Sequence, residues 1–412
     1  MKTVASFAYL LASATLGFAA VPVEWTEPET GHRVVRLSRE AGSMSLYFHQ
    51  NAFSPEGDKM IISTPGGLSA VDLKSRELDL VVPRARYSSR GSSGVEMGRR
   101  SRHVYYSARG DQGTVLRATH IDTKESRDII QLPFHAALNG VNADETLIVG
   151  TLSERRPGSR GSRRRRQGFE ERARQPRAMK FYSIEIETGK LSFFHPSTNW
   201  LNHAQCSPAD PALMLYCHEG PWHELDRVWT RPIGPGHSKL MHRRTMPYEI
   251  AGHEFFSRDG RHVWYDLQTP RSKEFWLASV AVKTGERIRY PVARSEWSVH
   301  YNISPDGSLF AGDGGGPKSV ANHTHLPEKR RLDPPSNGQW IYLFRPEPGF
   351  TVKQIDGEPV KVGRLRAEKL VDLSRHDYDL EPNVMFTPDG EWIVFRSNLH
   401  GERHVYAVRI IR

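Results

Sequence analysis

Apolar and polar residues alternate in short runs along most of this chain, and clusters of turn-forming residues separate the runs. The clearest case covers residues 251–266. Phe255-Phe256 leads into a Ser257-Arg258-Asp259-Gly260 turn and Val263-Trp264-Tyr265 follows, which predicts a β-hairpin. The signal recurs at Ser54-Pro55-Glu56-Gly57, Ser207-Pro208-Ala209-Asp210, Ser304-Pro305-Asp306-Gly307 and Thr387-Pro388-Asp389-Gly390. Weaker versions start near Gly98 and at Asn142-Ala143-Asp144-Glu145. Further short strands follow, such as Phe181-Tyr182-Ser183-Ile184 and Trp340-Ile341-Tyr342-Leu343. The turn starts are spaced roughly 45 to 50 residues apart, with two longer gaps. Several short strands per repeat at that period, with no sustained helical pattern after residue 20, predict an all-β, seven-bladed β-propeller. A single domain over residues 21–412 is expected, with inserts at about 154–177 and 314–337 filling the long gaps.

Five of the hairpins carry a polar residue four positions before the turn: Gln50, His203, His253, His300 and Asn383. A fixed offset in a repeated hairpin puts side chains at equivalent places around a ring. The first strands of propeller blades line the central channel, so these residues are expected to converge at one mouth. Strand alternation adds Glu381 to Asn383. Imidazoles, a carboxylate and an amide gathered there can hold a divalent cation or move a proton. The alternative is a set of hydrogen-bonded fillers in a wet channel.

A second dense segment runs Cys217-His218-Glu219-Gly220-Pro221-Trp222-His223-Glu224-Leu225-Asp226-Arg227-Val228-Trp229. Gly220-Pro221 predicts a strand end, which puts His218, Glu219, Trp222 and His223 on a loop and starts the next strand at Arg227. An indole face beside histidines and an arginine fork suits a sugar that carries a carboxylate. Blade packing by Trp222 and Trp229, with a surface pair between Asp226 and Arg227, is the simpler account.

Composition narrows the class. Hydrophobic residues make up 38% of the chain and aromatics 10%, enough for a packed β-protein. Met1-Lys2-Thr3 and the apolar run over residues 4–20 are expected to be a secretory signal peptide; an N-terminal anchor is the alternative. No later stretch is long and apolar enough for a membrane span. A periplasmic or secreted protein is therefore expected. The net charge is +10, and ten arginines lie between Arg155 and Arg177. That run reads as a solvated loop or as an electrostatic funnel for an acidic polymer. No aromatic-interleaved basic motif accompanies it, which argues against nucleic acid. With two cysteines the chain is no disulfide scaffold; Cys206 and Cys217 flank one hairpin and are either paired across it or free.

Cys217-His218-Glu219-Gly220-Pro221, Asp226-Arg227-x-Trp229, His253-Glu254-Phe255, His300 and Gly312-Asp313-Gly314 together resemble the oligogalacturonate lyases, and the resemblance covers most of the chain. Those enzymes are seven-bladed propellers that cut short pectic oligomers by β-elimination. The resemblance implies that His253 is the Brønsted base, that Arg227 is an active-site residue, and that His300 helps to hold a manganese ion. It departs at the family's Gln-x-x-His-x-His pattern, where this chain has Tyr378, Glu381 and Asn383. Glu381 and Asn383 offer a harder, oxygen-rich shell that Ca²⁺ or Mg²⁺ would also suit, and His376 stands near enough to compensate.

Residue chemistry agrees with the resemblance. Elimination from a 4-linked uronate removes a weakly acidic C5 proton, so a cation or Arg227 must offset the carboxylate charge. Neutral His253 can then accept the proton. Water or Tyr301 is a candidate donor to the leaving oxygen. The expected function is an exported, metal-assisted lyase for oligogalacturonate or a related acidic oligosaccharide. His203, His218, Glu219, Trp222, His223 and Gln50 are expected to bind substrate. A lyase for another acidic glycan, or a non-catalytic TolB-like propeller that binds acidic sugars or proteins, is the alternative.

Overall fold

Each of the seven turns read from the sequence joins the first two strands of a separate antiparallel sheet. Hydrogen bonds close them, for example from the Gly57 amide to the Ser54 carbonyl at 2.9 Å and from Gly260 to Ser257 at 2.9 Å. The Gly residues have positive φ (73° at Gly57, 68° at Gly260), which is why an Asp/Glu-Gly pair recurs there. This computed structural model describes residues 21–87, 94–111, 113–154, 171, 174–317, 319–322 and 338–412. The leader expected over residues 1–20, most of the arginine-rich insert and most of the second insert lie outside the described residues.

The described strands form seven sheets, the blades of a β-propeller. Blades one to four each have four strands in meander order. In blade four these are Trp200–Cys206, Leu213–Glu219, Val228–Pro232 and Lys239–Leu240. Innermost strands of neighbouring blades touch: Trp200–Cys206 meets Ala137–Val141 on one side and Ile250–Phe256 on the other. Aliphatic and aromatic residues from facing sheets fill the wedges between blades. Ile341 and Leu343 of blade six, for example, cluster with Phe395 and Val408 of blade seven, all fully buried.

The ring is closed by its two chain ends. Blade seven takes Met385–Phe386, Trp392–Ser397 and His404–Arg409 from the C-terminal part, then Arg33–Arg36 and Glu24–Thr26 from the N-terminal part. Val34 pairs with Val408 and Arg36 with Tyr406, antiparallel. A hairpin of Thr351–Ile355 and Glu358–Val362 was not foreseen. It leaves blade six and adds to the outer strand of blade five in parallel register, Arg287 opposite Val360. Val360 is buried in that contact.

Deleting residues 21–36 would strip Val34 and Val35 from the core, about 2 kcal/mol each, and leave His404–Arg409 as an open edge. The expected result in a circular-dichroism melt is loss of the single cooperative transition, with aggregation on size exclusion.

Candidate active site

At three of the five offset positions the backbone itself aims the side chain. In blades four and five the innermost strand is bulged: pairing with the next strand skips between Asn202 and Gln205, and again between Gly252 and Phe255. His203 and His253 sit at these skips with φ of 47° and 51°, and Asn383, at the same offset in blade seven, has φ of 56°. A bulge re-aims one side chain out of the pleat. A left-handed non-glycine residue costs roughly 1 kcal/mol or more, so the surrounding sheet must hold it. The two bulged rings come together, with His203 and His253 centroids 6.2 Å apart and nearly parallel. Gly252 makes room for this: a Cβ there would stand 2.6 Å from the ring of Trp222, which covers His253 at 5.0 Å.

His300 completes the group, its ring centroid 4.5 Å from that of His253. Residues 253 and 300 meet, as the repeat geometry requires. His300 is fully buried, and its Nδ1 lies 2.7 Å from Asp313 Oδ2. The same carboxylate accepts the His300 backbone N–H at 2.8 Å and the Asn383 N–H at 3.1 Å. This fixes the proton on Nδ1 and turns Nε2 toward the mouth, 3.2 Å from the Tyr47 hydroxyl and 3.7 Å from Glu381 Oε2. Tyr47 lies among the histidines, with His49 at 4.9 Å, His300 at 5.3 Å and His203 at 5.8 Å between centroids. Desolvation, reinforced by Glu381, Glu254 and Glu219, pushes the Tyr47 hydroxyl well above its ordinary pKa, so it keeps its proton. Desolvation pushes His49 down to about 3, with His203 adding to the effect. Burial also pushes His253 well below the usual histidine range, helped by His300, His203 and Arg227, so it is neutral at pH 7.

Arg227 lies beside the histidines and is fully buried. Its guanidinium bonds Glu219 Oε1, approaches Cys217 Sγ at 3.5 Å, and is capped by the Trp222 ring at 4.3 Å. Burial would raise the Glu219 carboxyl, but Arg227 and His203 outweigh it and hold it at about 2. Its other oxygen accepts from Asn202 Nδ2 at 2.9 Å. The Arg227 Nε has no acceptor among the described residues.

Glu254 follows His253 and is wholly buried, with Oε1 3.3 Å from His203 Nδ1. Neither Glu254 oxygen receives a hydrogen bond of acceptable geometry. Burial alone would raise this carboxyl; His203 and Arg227 bring it down instead. Burial would likewise lower His203, but Glu254 raises it. Among the described residues, His203, Cys217 and Glu254 are the set whose ligand atoms all lie within 4.8 Å of one another, which makes them a possible metal site.

Several sequence expectations change. The Gln50 amide is spent on backbone, donating to the Val95 carbonyl at 3.0 Å while its Oε1 accepts from the Tyr47 N–H at 3.0 Å. Asn383 is spent likewise: Oδ1 accepts from the Phe48 N–H at 3.1 Å and Nδ2 donates to the Glu381 carbonyl at 3.0 Å. That leaves Asn383 Oδ1 a single lone pair for any ion, whereas Glu381 Oε2 faces His300 Nε2 at 3.7 Å. His218 and Glu219 end the strand Leu213–Glu219 rather than lying on the loop, and the next strand begins at Val228. His218 packs on Tyr216 and Trp229 of its own blade, and His223 stacks on Tyr248, so neither ring joins the histidine group. Tyr301 is a core residue whose hydroxyl accepts the Ser298 N–H. His376 is committed to Ser397 Oγ and the Leu380 carbonyl, and Tyr378 donates to the Asp313 carbonyl. Strand register pairs Cys206 with Met214 and Cys217 with Asn202, so the two buried cysteines do not face each other and are free thiols.

Sequence reasoning assigned no role to Tyr47, His49, Asp313 or Glu254. The last two stood inside quoted motifs; Tyr47 and His49 flank Phe48 just before Gln50, where only the offset residue drew notice. His300 and Glu381 fit a divalent cation. A histidine whose far nitrogen is anchored by a buried carboxylate is held as metal-binding histidines are held, and a nearby carboxylate oxygen suits a hard ion.

The family model described as oligogalacturonate lyase matches residues 23–412, and the chain belongs to that family. The oligogalacturonate lyase of Dickeya dadantii is 24% identical over 393 residues, covering 92% of this chain and 94% of the relative. The oligogalacturonide lyase of Pectobacterium atrosepticum is 22% identical over 403 residues, covering 94% and 95%. Among solved structures, an oligogalacturonate lyase in complex with manganese superposes with a TM-score of 0.73 at 19% identity, covering 94% of this chain and 95% of the other. The oligogalacturonate lyase of Vibrio parahaemolyticus gives 0.72 at 20%, covering 94% and 96%.

The Glu219 carboxyl titrates at about 2 in the folded protein against an ordinary 4.5, so its contribution is complete above pH 4.5 and is lost as pH falls toward 2. Glu219→Gln leaves Arg227 buried without its counter-charge, a loss of about 3 kcal/mol at neutral pH. The variant's stability curve should also be flatter between pH 4.5 and 2, read by urea melts across that range.

Proposed function

We propose that this protein is an exported lyase that cleaves oligogalacturonate, or a closely related 4-linked uronate oligosaccharide, by β-elimination. The observation that carries the reading is the meeting of a neutral, buried His253 with His300, 4.5 Å between ring centroids, beside the buried Arg227–Trp222 pair. His253 takes the C5 proton; the electron pair forms the C4–C5 double bond as the C4–O4 bond breaks. The departing O4 needs a proton, and the Tyr47 hydroxyl, rather than Tyr301, is the protonated tyrosine in the mouth. Arg227, buried behind Trp222, supplies a fixed positive charge that offsets the uronate carboxylate in a desolvated setting where charge acts strongly. Trp222 gives the sugar an apolar face. A divalent cation on His300 and Glu381, with manganese the first candidate, would neutralise the carboxylate and so acidify C5. The apolar stretch over residues 4–20 supports export to the periplasm or beyond. Among the described residues no helix is long and apolar enough to cross a membrane.

The commitment of Asn383 to Phe48 favours a second reading of substrate. With Glu381 as the available ligand of the altered triplet, another acidic glycan of the same elimination chemistry is the alternative.

Incubation with short galacturonate oligomers should give ultraviolet-absorbing unsaturated products. His253→Ala should lower kcat by about 10²–10⁴-fold with an unchanged melt; wild-type-like turnover in this variant, or no unsaturated product from any uronide offered to the native protein, would overturn the reading. A chelator should abolish turnover and Mn²⁺ restore it, while His300→Ala should lose Mn²⁺ in a calorimetric titration.

A further inference from the structure

Cys217 has no part in the elimination, yet it lies fully buried beside two other potential ligands. His203 comes from the strand Trp200–Cys206, Cys217 from Leu213–Glu219 and Glu254 from Ile250–Phe256, so the three span the junction of blades four and five. Their ligand atoms lie within 4.8 Å of one another, and His203 Nδ1 and Glu254 Oε1 are 3.3 Å apart. Ligands bound tetrahedrally to one ion at about 2.0–2.3 Å stand about 3.3–3.6 Å from each other. Glu254 has His203 Nδ1 and the Cys217 thiol as close polar neighbours, yet neither of its oxygens nor His203 Nδ1 makes a hydrogen bond of good geometry. A native interior rarely leaves a carboxylate in that state unless something else completes it.

We propose that His203, Cys217 and Glu254 form a second cation site, separate from His300 and Glu381, that takes a borderline-soft divalent ion of the zinc class. A thiolate, an imidazole and one carboxylate are the donor set such ions prefer, whereas manganese favours carboxylate and water. The charges balance. Cys217 thiolate, Glu254 and Glu219 carry three negative charges, and a dication with Arg227 carries three positive ones. The thiol proton leaves as the sulfur–metal bond forms, and no electron is transferred. His203 is the least buried of the three and gives the ion its way in from the mouth. Bound there, the ion staples two blades together and fixes the strand that aims His253.

Co²⁺ titration of the full chain, purified without an affinity tag, tests this without reference to activity. One equivalent should bind with a thiolate-to-cobalt charge-transfer band, Zn²⁺ should displace it, and the melting temperature should rise. Cys217→Ser should erase the band and weaken Zn²⁺ binding at least about 100-fold, while Cys206→Ser keeps both. If Cys217→Ser folds poorly, Glu254→Gln supplies the second variant and should weaken Zn²⁺ binding to the same extent. His300→Ala should leave the band intact, which separates this site from the one proposed for the reaction. Cobalt bound without a thiolate band, a band that survives in Cys217→Ser, or no zinc-class binding overturns the proposal.

Discussion

The Phe48 peptide is the point on which the mouth depends. Its N–H is held by Asn383 Oδ1 from blade seven and its carbonyl by Asn302 Nδ2 from blade six, each at 3.1 Å. Asn302 Oδ1 in turn receives the Phe386 N–H at 3.1 Å. Two side-chain amides thus fasten the entry of blade one to the last two blades, joining positions more than 250 residues apart. Tyr47 and His49 flank that peptide, so the clamp sets where they stand relative to His300 and His203. Pairing of Val34 with Val408 keeps the same blades in register from outside.

The interior behind the clamp holds several buried ionisable side chains, and they are matched locally. Arg227 is opposed by Glu219, His300 by Asp313, and Glu254 by His203. Pairing of this kind is expensive in desolvation and contributes little net stability. It does fix which groups carry charge: Glu219 stays ionised, and His253, which lacks an acidic partner, stays neutral. One neutral imidazole is thereby set apart from its charged neighbours by surroundings alone.

Much of this was legible because turn chemistry is local. Ser/Thr-Pro-Asp-Gly, exact at residues 304–307 and 387–390 and varied at the other five turns, marks a tight turn whatever surrounds it, so the repeat of that signal pointed to seven blades and put His203, His253 and His300 at one mouth. The offset could not tell what each side chain would bond. Gln50 and Asn383 occupy the same slot as the histidines, but their amides match backbone groups of neighbouring blades, and those partners come from remote sequence. Tyr47 acts through contacts across blades, and Asp313 through one partner in its own blade and one in the next, which no local pattern encodes. Of the two states left open for Cys206 and Cys217, the free one holds for a simpler reason: the hairpin turn itself sets Cys206 opposite Met214, and Cys217 lies three residues further along its strand, opposite Asn202.

The hairpin laid against blade five has a bearing on the protein's behaviour in crowded solution. A propeller's outermost strands expose rows of unsatisfied amides, which invite a second molecule to add a strand. Here the outer strand of blade five is occupied by the chain itself, and a 2.7 Å ion pair between Lys361 and Glu286 tacks the covering segment down. The new rim is a strand with a lysine at 353, next to a two-residue Asp356-Gly357 turn. It is a short edge whose single charge, Lys353, stands beside an exposed Val352, so its brevity more than its charge makes it a poor template for sheet-to-sheet association.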